Sequence, residues 1–243
     1  MQKLEMQFKK LDNFRVSESY KVVRSNLMFL GSTTKAILFT SCVECEGKST
    51  VSWNVARSLA ESGKRVVYID ADMRKSVFTS RHKVRGTKVL GLSQFLSDQA
   101  ILNDVICATE QENLYVITTG PFPPNPSELL SRNLFANAIK VLKSTFDYII
   151  IDAPPITATT DPAVIASACD GSVMVVAAKK VSARVIRECI AQLDRTGTPV
   201  LGAILNMADS KYLTTGYGRY YGKYYGKYYG VAHKSDAEQR KDD

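Results

Sequence analysis

A three-layer α/β fold with a mainly parallel central sheet is what this 243-residue sequence predicts. Three observations carry that expectation. Strand-like apolar runs alternate with helical patterns, the order that βαβ crossovers require. Several runs (VVYI, YIII, SVMVV) are apolar at every position, as strands buried on both faces must be. A hydrophobic fraction of 45% beside 23% charged residues supplies a sizeable core and argues against global disorder.

Taken in order, residues 1–35 form an N-terminal helix region, because Val16, Tyr20, Val23 and Leu27 recur at helical spacing. Residues 36–206 follow as one domain. Its expected strands are 36–40, 65–69, 114–118, 148–151, 172–177 and 200–205. Its expected helices lie near 48–62, 88–97, 127–143, 160–168 and 182–195. Trp53, on the first of these helices, is read as core. Residues 70–87 are polar and basic, and are read as a surface loop with His82 on its surface. GPFPPNPSE, at 120–128, is too proline-rich for helix or strand. Residues 207–243 are read as a tail. There Tyr-Tyr-Gly repeats with a basic residue between, and regular glycines without an aliphatic core make a flexible segment.

Lys and Arg number 32 against 24 Asp and Glu, a net charge of +8. This permits acidic partners (nucleic acid, anionic lipid, phosphate compounds, acidic peptides) and selects none of them. No apolar run approaches the ~20 residues of a membrane span. The N-terminus is too charged for a signal peptide. Five cysteines do not suggest a secreted disulfide framework, and a cytoplasmic location is expected. With only His82 and His233, histidine metal sites and Ser-His-Asp triads are poorly supplied.

The strongest local signal is SCVECEGKST, between a strand and a helix. Gly47-Lys48-Ser49 is the end of a Walker A loop. Unpaired N–H groups and a positive dipole at a helix start favour an anion. Gly47 lets the backbone approach phosphates, Lys48 reaches them, and the Ser49 hydroxyl suits Mg²⁺. The nucleotide-binding set is Cys42, Val43, Glu44, Cys45, Glu46, Gly47, Lys48, Ser49 and Thr50, with Asn206 as a candidate base contact. Cys42 stands where the pattern begins with glycine. Cys42-x-x-Cys45 also has redox spacing, but the chain runs straight on into Gly-Lys-Ser, so the cysteines are read as loop substitutions. Two further strands end in acid, at Asp70 and Asp72 of YIDADMR and at Asp152 of DYIIIDAPP. Each alone could be a helix cap or turn residue. Three strand ends carrying these groups point together to a P-loop NTPase fold with a site at the carboxyl edge of the sheet.

These segments resemble the Walker A, Walker A′ and Walker B motifs of the bacterial tyrosine kinases of capsular and exopolysaccharide synthesis. GPFPPNPSELLSR, the terminal tyrosine cluster and ESYKVVRSN are also similar to that family. The last resembles its oligomerisation helix, with Glu18, Lys21 and Arg24 in the motif positions and lysine replacing one arginine. The resemblance implies tyrosine phosphorylation with Mg·ATP, in trans between neighbours of a homo-oligomeric ring. It also implies activation by the cytoplasmic tail of a transmembrane adaptor, recruitment to the inner face of the membrane, and reversal by a phosphotyrosine phosphatase. Lys48, Asp70 and Asp72 are then the catalytic set, and Ser49, Asp72 and Asp152 hold the metal. Either Walker A′ aspartate could be the base. Glu44-Cys45 departs from the family's Pro-Gly, which implies an altered loop or weaker nucleotide binding.

Eight of the twelve tyrosines, Tyr212, Tyr217, Tyr220, Tyr221, Tyr224, Tyr225, Tyr228 and Tyr229, fall in the tail and are the expected phosphoacceptors. Interleaved Tyr and Lys could instead stack on single-stranded nucleic acid, but the nucleotide motifs favour acceptors, and no nucleic acid is expected. The alternative activity is a non-kinase ATPase switch of the partitioning or division-site-selecting kind. Such ATPases share the fold but carry an extra lysine where Val43 stands, and they lack a tyrosine tail.

Overall fold

The computed structural model describes residues 2–8, 13–85 and 89–208. Met1–Asn206 forms one compact unit. The tail tyrosines lie outside the described residues.

The elements are β1 (Gln2–Lys3), α1 (Phe14–Phe29), β2 (Ala36–Ser41), α2 (Lys48–Glu61), β3 (Val66–Asp70), α3 (Phe78–Arg81), α4 (Leu92–Leu96), α5 (Leu102–Val105), β4 (Cys107–Ala108), β5 (Leu114–Ile117), α6 (Pro126–Ser131), α7 (Asn133–Thr145), β6 (Tyr148–Asp152), α8 (Asp161–Ala166), β7 (Gly171–Ala177), α9 (Ala183–Asp194) and β8 (Val200–Asn206). All six expected strands are present. They lie in one sheet of order β1-β4-β5-β3-β6-β2-β7-β8, parallel except between β4 and β5.

The all-apolar strands work as expected, because alternate residues enter different cores. Leu38, Ile69, Ile149, Ile151 and Met174 pack under α4 and α6 to α9, beside Phe95, Leu130, Phe135 and Leu193. Ile37, Phe39, Tyr68, Ile150 and Val173 pack under α1 to α3, beside Leu27, Trp53, Leu59 and Phe78. Trp53 is core, as its pattern suggested. The N-terminal segment is not a separate layer: β1 pairs with β4, and Leu4 and Met6 are buried in the second core.

Four local expectations need correction. GPFPPNPSE, expected to be neither helix nor strand, supplies the first turn of α6 with Pro126 at its first position, where the missing N–H costs nothing. The stretch 70–87 is not simply a surface loop, since it contains α3 and buries Phe78. His82 is buried there, its ring 4.9 Å from Trp53 and 4.6 Å from Phe78. Flanking Arg81 and Lys83 masked an aromatic cluster that no sequence period reveals. The helix expected over 127–143 is two helices, because Arg132 takes an extended ψ of 142°. Its guanidinium bonds the Leu96 carbonyl and the Asp98 carboxylate, which holds the chain out of helical register.

Candidate active site

β2 is central, between β6 and β7, so the loop after Ser41 emerges at the middle of the carboxyl edge. That loop turns into α2 through two left-handed residues. Gly47, the N-cap, has φ 86°, and Cys45 has φ 59°. Glycine takes this conformation freely, whereas an L side chain is strained in it. The position where the sequence lacks the expected glycine is thus one where the backbone needs one.

The loop is braced from beneath. Glu46 is buried, and its carboxylate accepts hydrogen bonds from the Val43 N–H (2.9 Å) and the Ala177 N–H (3.0 Å). The Asn206 amide donates to the Glu46 carbonyl (2.9 Å), and the Thr157 hydroxyl to the Cys42 carbonyl (2.6 Å). Glu46 and Asn206 therefore shape the loop itself. On the outside, Lys180 donates to the Glu44 carbonyl (2.6 Å) and Lys75 pairs with the Glu44 carboxylate (2.8 Å). Cys42 and Cys45 are both free: the first is buried, its sulfur 4.0 Å from that of Met174, and the second is exposed. Burial, and then Cys189, push the Cys42 thiol up to about 12, so it is inert near neutral pH.

Lys48 opens α2 and reaches across the site. Its Nζ lies 2.9 Å from Asp72 Oδ2, 3.5 Å from Asp152 Oδ2 and 3.2 Å from Ser49 Oγ. Burial alone would lower the pKa of this ammonium, but the Asp152 and Asp72 carboxylates outweigh it and raise the pKa. Asp70 and Asp152 end neighbouring parallel strands and are register partners. Burial, and then the Asp152 charge, push the Asp70 carboxyl up to about 7, although it accepts a hydrogen bond from Ser76. Asp152 is also raised, chiefly by burial, and Ser52 Oγ donates to its Oδ1 at 3.3 Å. Asp72 Oδ1 accepts the Lys75 N–H at 3.0 Å, which fixes the turn after β3.

The structure thus gathers Lys48, Ser49, Asp70, Asp72 and Asp152 at one point of the sheet edge. The donor set fits a polyphosphate with a divalent cation. The first N–H groups of the fourteen-residue α2 have no helical acceptor. A lysine and a serine hydroxyl lie beside them, and two carboxylates already share one positive charge. Among the described residues no three His, Cys, Asp or Glu side chains form a metal cage. A Mg²⁺ ion here would take its remaining ligands from phosphate and water, as Mg²⁺ commonly does.

The three residues expected to mediate oligomerisation divide. Glu18 and Lys21 pair within α1 (2.6 Å), and Arg24 donates to the Ser58 carbonyl of α2 (3.0 Å). Sequence reasoning missed Ser52, Ser76, Lys180 and Asp161, none of which belongs to a short motif. Arg74 was visible as the last residue of YIDADMR and Lys75 as a loop charge, neither with a role.

The AAA domain family matches residues 35–198. Tyrosine-protein kinase CpsD of Streptococcus agalactiae is 41% identical over 222 residues, which cover 90% of this chain and 96% of that protein. The solved chimerical protein CapA2B2 is 32% identical with a TM-score of 0.77, covering 83% of this chain and 88% of that one. The kinase domain of the Escherichia coli tyrosine kinase ETK is 28% identical with a TM-score of 0.73, covering 83% and 80%. The cell-division ATPase MinD of Pyrococcus furiosus, at 24% identity and a TM-score of 0.62 over 72% and 74%, shares the fold alone.

Proposed function

The chain belongs to the bacterial tyrosine-protein kinases of the CpsD type, and we propose from that premise how its residues divide the work. The relationship that carries the reading is the Lys48 ammonium set between Asp72 and Asp152 at the head of α2. Bound Mg·ATP supplies the γ-phosphoryl group. Lys48 and the first N–H groups of α2 hold phosphate oxygens and neutralise charge that develops on them. Ser49, Asp72 and Asp152 would hold the Mg²⁺, which would offset charge on the phosphate oxygens. With Asp72 and Asp152 facing a cation, Asp70 is left as the base. Its pKa of about 7 suits a group that must accept a phenolic proton at neutral pH. The acceptors are the eight tail tyrosines from Tyr212 to Tyr229.

The kinase acts on neighbours in a ring and regulates polysaccharide export. No helix among the described residues is long and apolar enough to cross a membrane. In keeping with its family, the cytoplasmic tail of a separate membrane adaptor recruits the protein and completes its site, and a phosphatase resets the tail. α1 supports the assembly reading, since it exposes Phe14 and Phe29 at its two ends beside the Glu18–Lys21 pair. The test is incubation with Mg·ATP and an anti-phosphotyrosine blot. Wild type should label, and neither Lys48→Met nor a variant with all eight tail tyrosines changed to Phe should. Equal labelling of Lys48→Met would overturn the site, and full labelling of the Phe variant would overturn the choice of acceptors.

A further inference from the structure

Arg74 has no part in the chemistry described above, yet its side chain joins three loops of the carboxyl edge. Its Nε lies 2.7 Å from Asp161 Oδ2 and its Nη2 3.1 Å from Oδ1, a two-pronged pairing. The same Nη2 donates to Ser127 Oγ at 2.9 Å, and the Ser127 hydroxyl in turn donates to Asp161. Asp161 opens α8, beyond the loop that follows Asp152; Ser127 lies in α6, beyond the proline-rich loop that follows β5. Arg74 itself follows Asp72 by two residues, and its own N–H is 3.4 Å from Asp72 Oδ1.

The burial is uneven. The Asp161 side chain is completely buried, while that of Arg74 is 39% exposed. A buried carboxylate is tolerated only when paired and hydrogen-bonded, and Arg74, Ser127 and the Thr159 hydroxyl, which accepts the Asp161 N–H, surround this one. Their hydrogen bonds hold the Asp161 carboxyl below its ordinary value, so it stays charged at neutral pH. Arginine is suited to this place because its planar fork meets both carboxylate oxygens at once, which fixes direction as well as distance. A lysine would fix distance alone. The segment so fixed is the turn that aims Asp72 at Lys48.

We propose that Arg74 is a positioning residue for phosphoryl transfer: clasped by Asp161 and Ser127, it locks the turn after β3 so that Asp70 and Asp72 meet the reacting groups in one geometry. The inference rests on the roles given above to Asp70 and Asp72. A misplacement near ~1 Å at such a centre costs about 100-fold in rate, so the effect belongs in kcat. Nucleotide affinity, set by the loop before α2, should be spared.

The test compares Arg74→Ala, Arg74→Lys, Asp161→Asn and the Arg74→Ala/Asp161→Asn double variant in the full chain. The readouts are kcat, KM for Mg·ATP, binding of a fluorescent ADP and melting temperature. Arg74→Ala should lose at least about 10-fold in kcat with KM and ADP affinity within about twofold, and Arg74→Lys should recover part of the loss. The double variant should be no worse than the poorer single one, because both break one clasp. Arg74→Ala that keeps its kcat and only melts earlier, or losses that multiply in the double variant, would overturn the inference. If Arg74→Ala does not fold, Arg74→Lys and Ser127→Ala carry the test, and kcat unchanged in both would equally overturn it. Asp72→Asn is measured beside them. Full activity there sinks the role given to Asp72, whereas the clasp is judged by the split between kcat and KM.

Discussion

Asp70 and Asp152 face one another across neighbouring parallel strands, in register, at the last residue of each. Two carboxylates brought this close cannot both ionise cheaply away from water. Lys48 compensates Asp152 directly, at 3.5 Å, and Asp70 is left with a hydroxyl, that of Ser76. The sheet register therefore leaves the two acids in unequal surroundings, one beside an ammonium and the other beside a hydroxyl.

The first prediction concerns pH. Asp70 holds its proton up to about 7, far above the ~4 of an unfolded chain. Between those values the native state binds the extra proton, so folding stability falls as pH rises from ~4 to ~7. Asp70→Asn removes that penalty. It should be more stable than wild type by about 2–4 kcal/mol at pH 8, with the gap narrowing towards pH 5. Its kinase activity should fall at least 100-fold. In wild type, kcat should fall at low pH as Asp70 becomes protonated. Urea melts at both pH values and a pH–rate profile check this. A flat profile, or a stability gap independent of pH, contradicts the assignment.

A second prediction follows from the left-handed Cys45. Cys45→Gly removes about 1–2 kcal/mol of backbone strain, partly offset by the greater freedom of glycine in the unfolded chain. The net gain should be up to about 1 kcal/mol, or 2–4 °C in melting temperature. The loop should also bind ADP more tightly. Calorimetry and a fluorescent-ADP titration read both effects. A lower melting temperature together with weaker binding would show that cysteine is the better residue there.

Glu46 gives a third. Its two carboxylate oxygens accept two backbone N–H groups, from Val43 and from Ala177 at the end of β7. Gln can accept only one of these bonds and turns its amide N–H₂ towards the other donor. Glu46→Gln should cost about 1–3 kcal/mol and loosen the loop. ADP affinity should fall in parallel with melting temperature, and a variant that loses neither would show that the brace is dispensable.

The parallel sheet was legible because its strands are apolar on both faces, Lys48 and Ser49 because they close a phosphate-loop motif at a strand-to-helix junction, and Asp70, Asp72 and Asp152 because they end or directly follow apolar strands. The two-residue strands β1 and β4 were not legible, since nothing local marks such short strands and β1 pairs with β4 across more than a hundred residues. The same applies to Asp161 and Ser127. A carboxylate after Thr160 reads as an ordinary helix start, and only tertiary folding brings it to Arg74, 87 residues earlier. His82 was misjudged for the complementary reason. Its charged neighbours in sequence are not its neighbours in space, where Trp53 and Phe78 surround it.

The last prediction separates assembly from stability on α1. The three residues proposed for oligomerisation do different things in the folded chain. Arg24 crosses to α2 and donates to the Ser58 carbonyl, with the Ser58 hydroxyl 3.4 Å away. This bond is half-buried and charge-assisted, so Arg24→Ala should destabilise the monomer by about 1–3 kcal/mol. Glu18 and Lys21 pair on an exposed face, their side chains 44% and 50% accessible. Such a pair contributes only about 0.3–0.5 kcal/mol to its own helix, so the Glu18→Ala/Lys21→Ala double variant should melt within ~2 °C of wild type. If these two side chains instead reach a neighbouring copy, that double variant should still turn a large species into monomer in light scattering. Arg24→Lys, which keeps the charge but not the planar fork, should sit between the two in melting temperature. Unchanged mass in the Glu18/Lys21 variant, with assembly lost only in the variant that also melts early, would mean that α1 supports the oligomer through the packing of Arg24 on α2 rather than through an intersubunit ion pair.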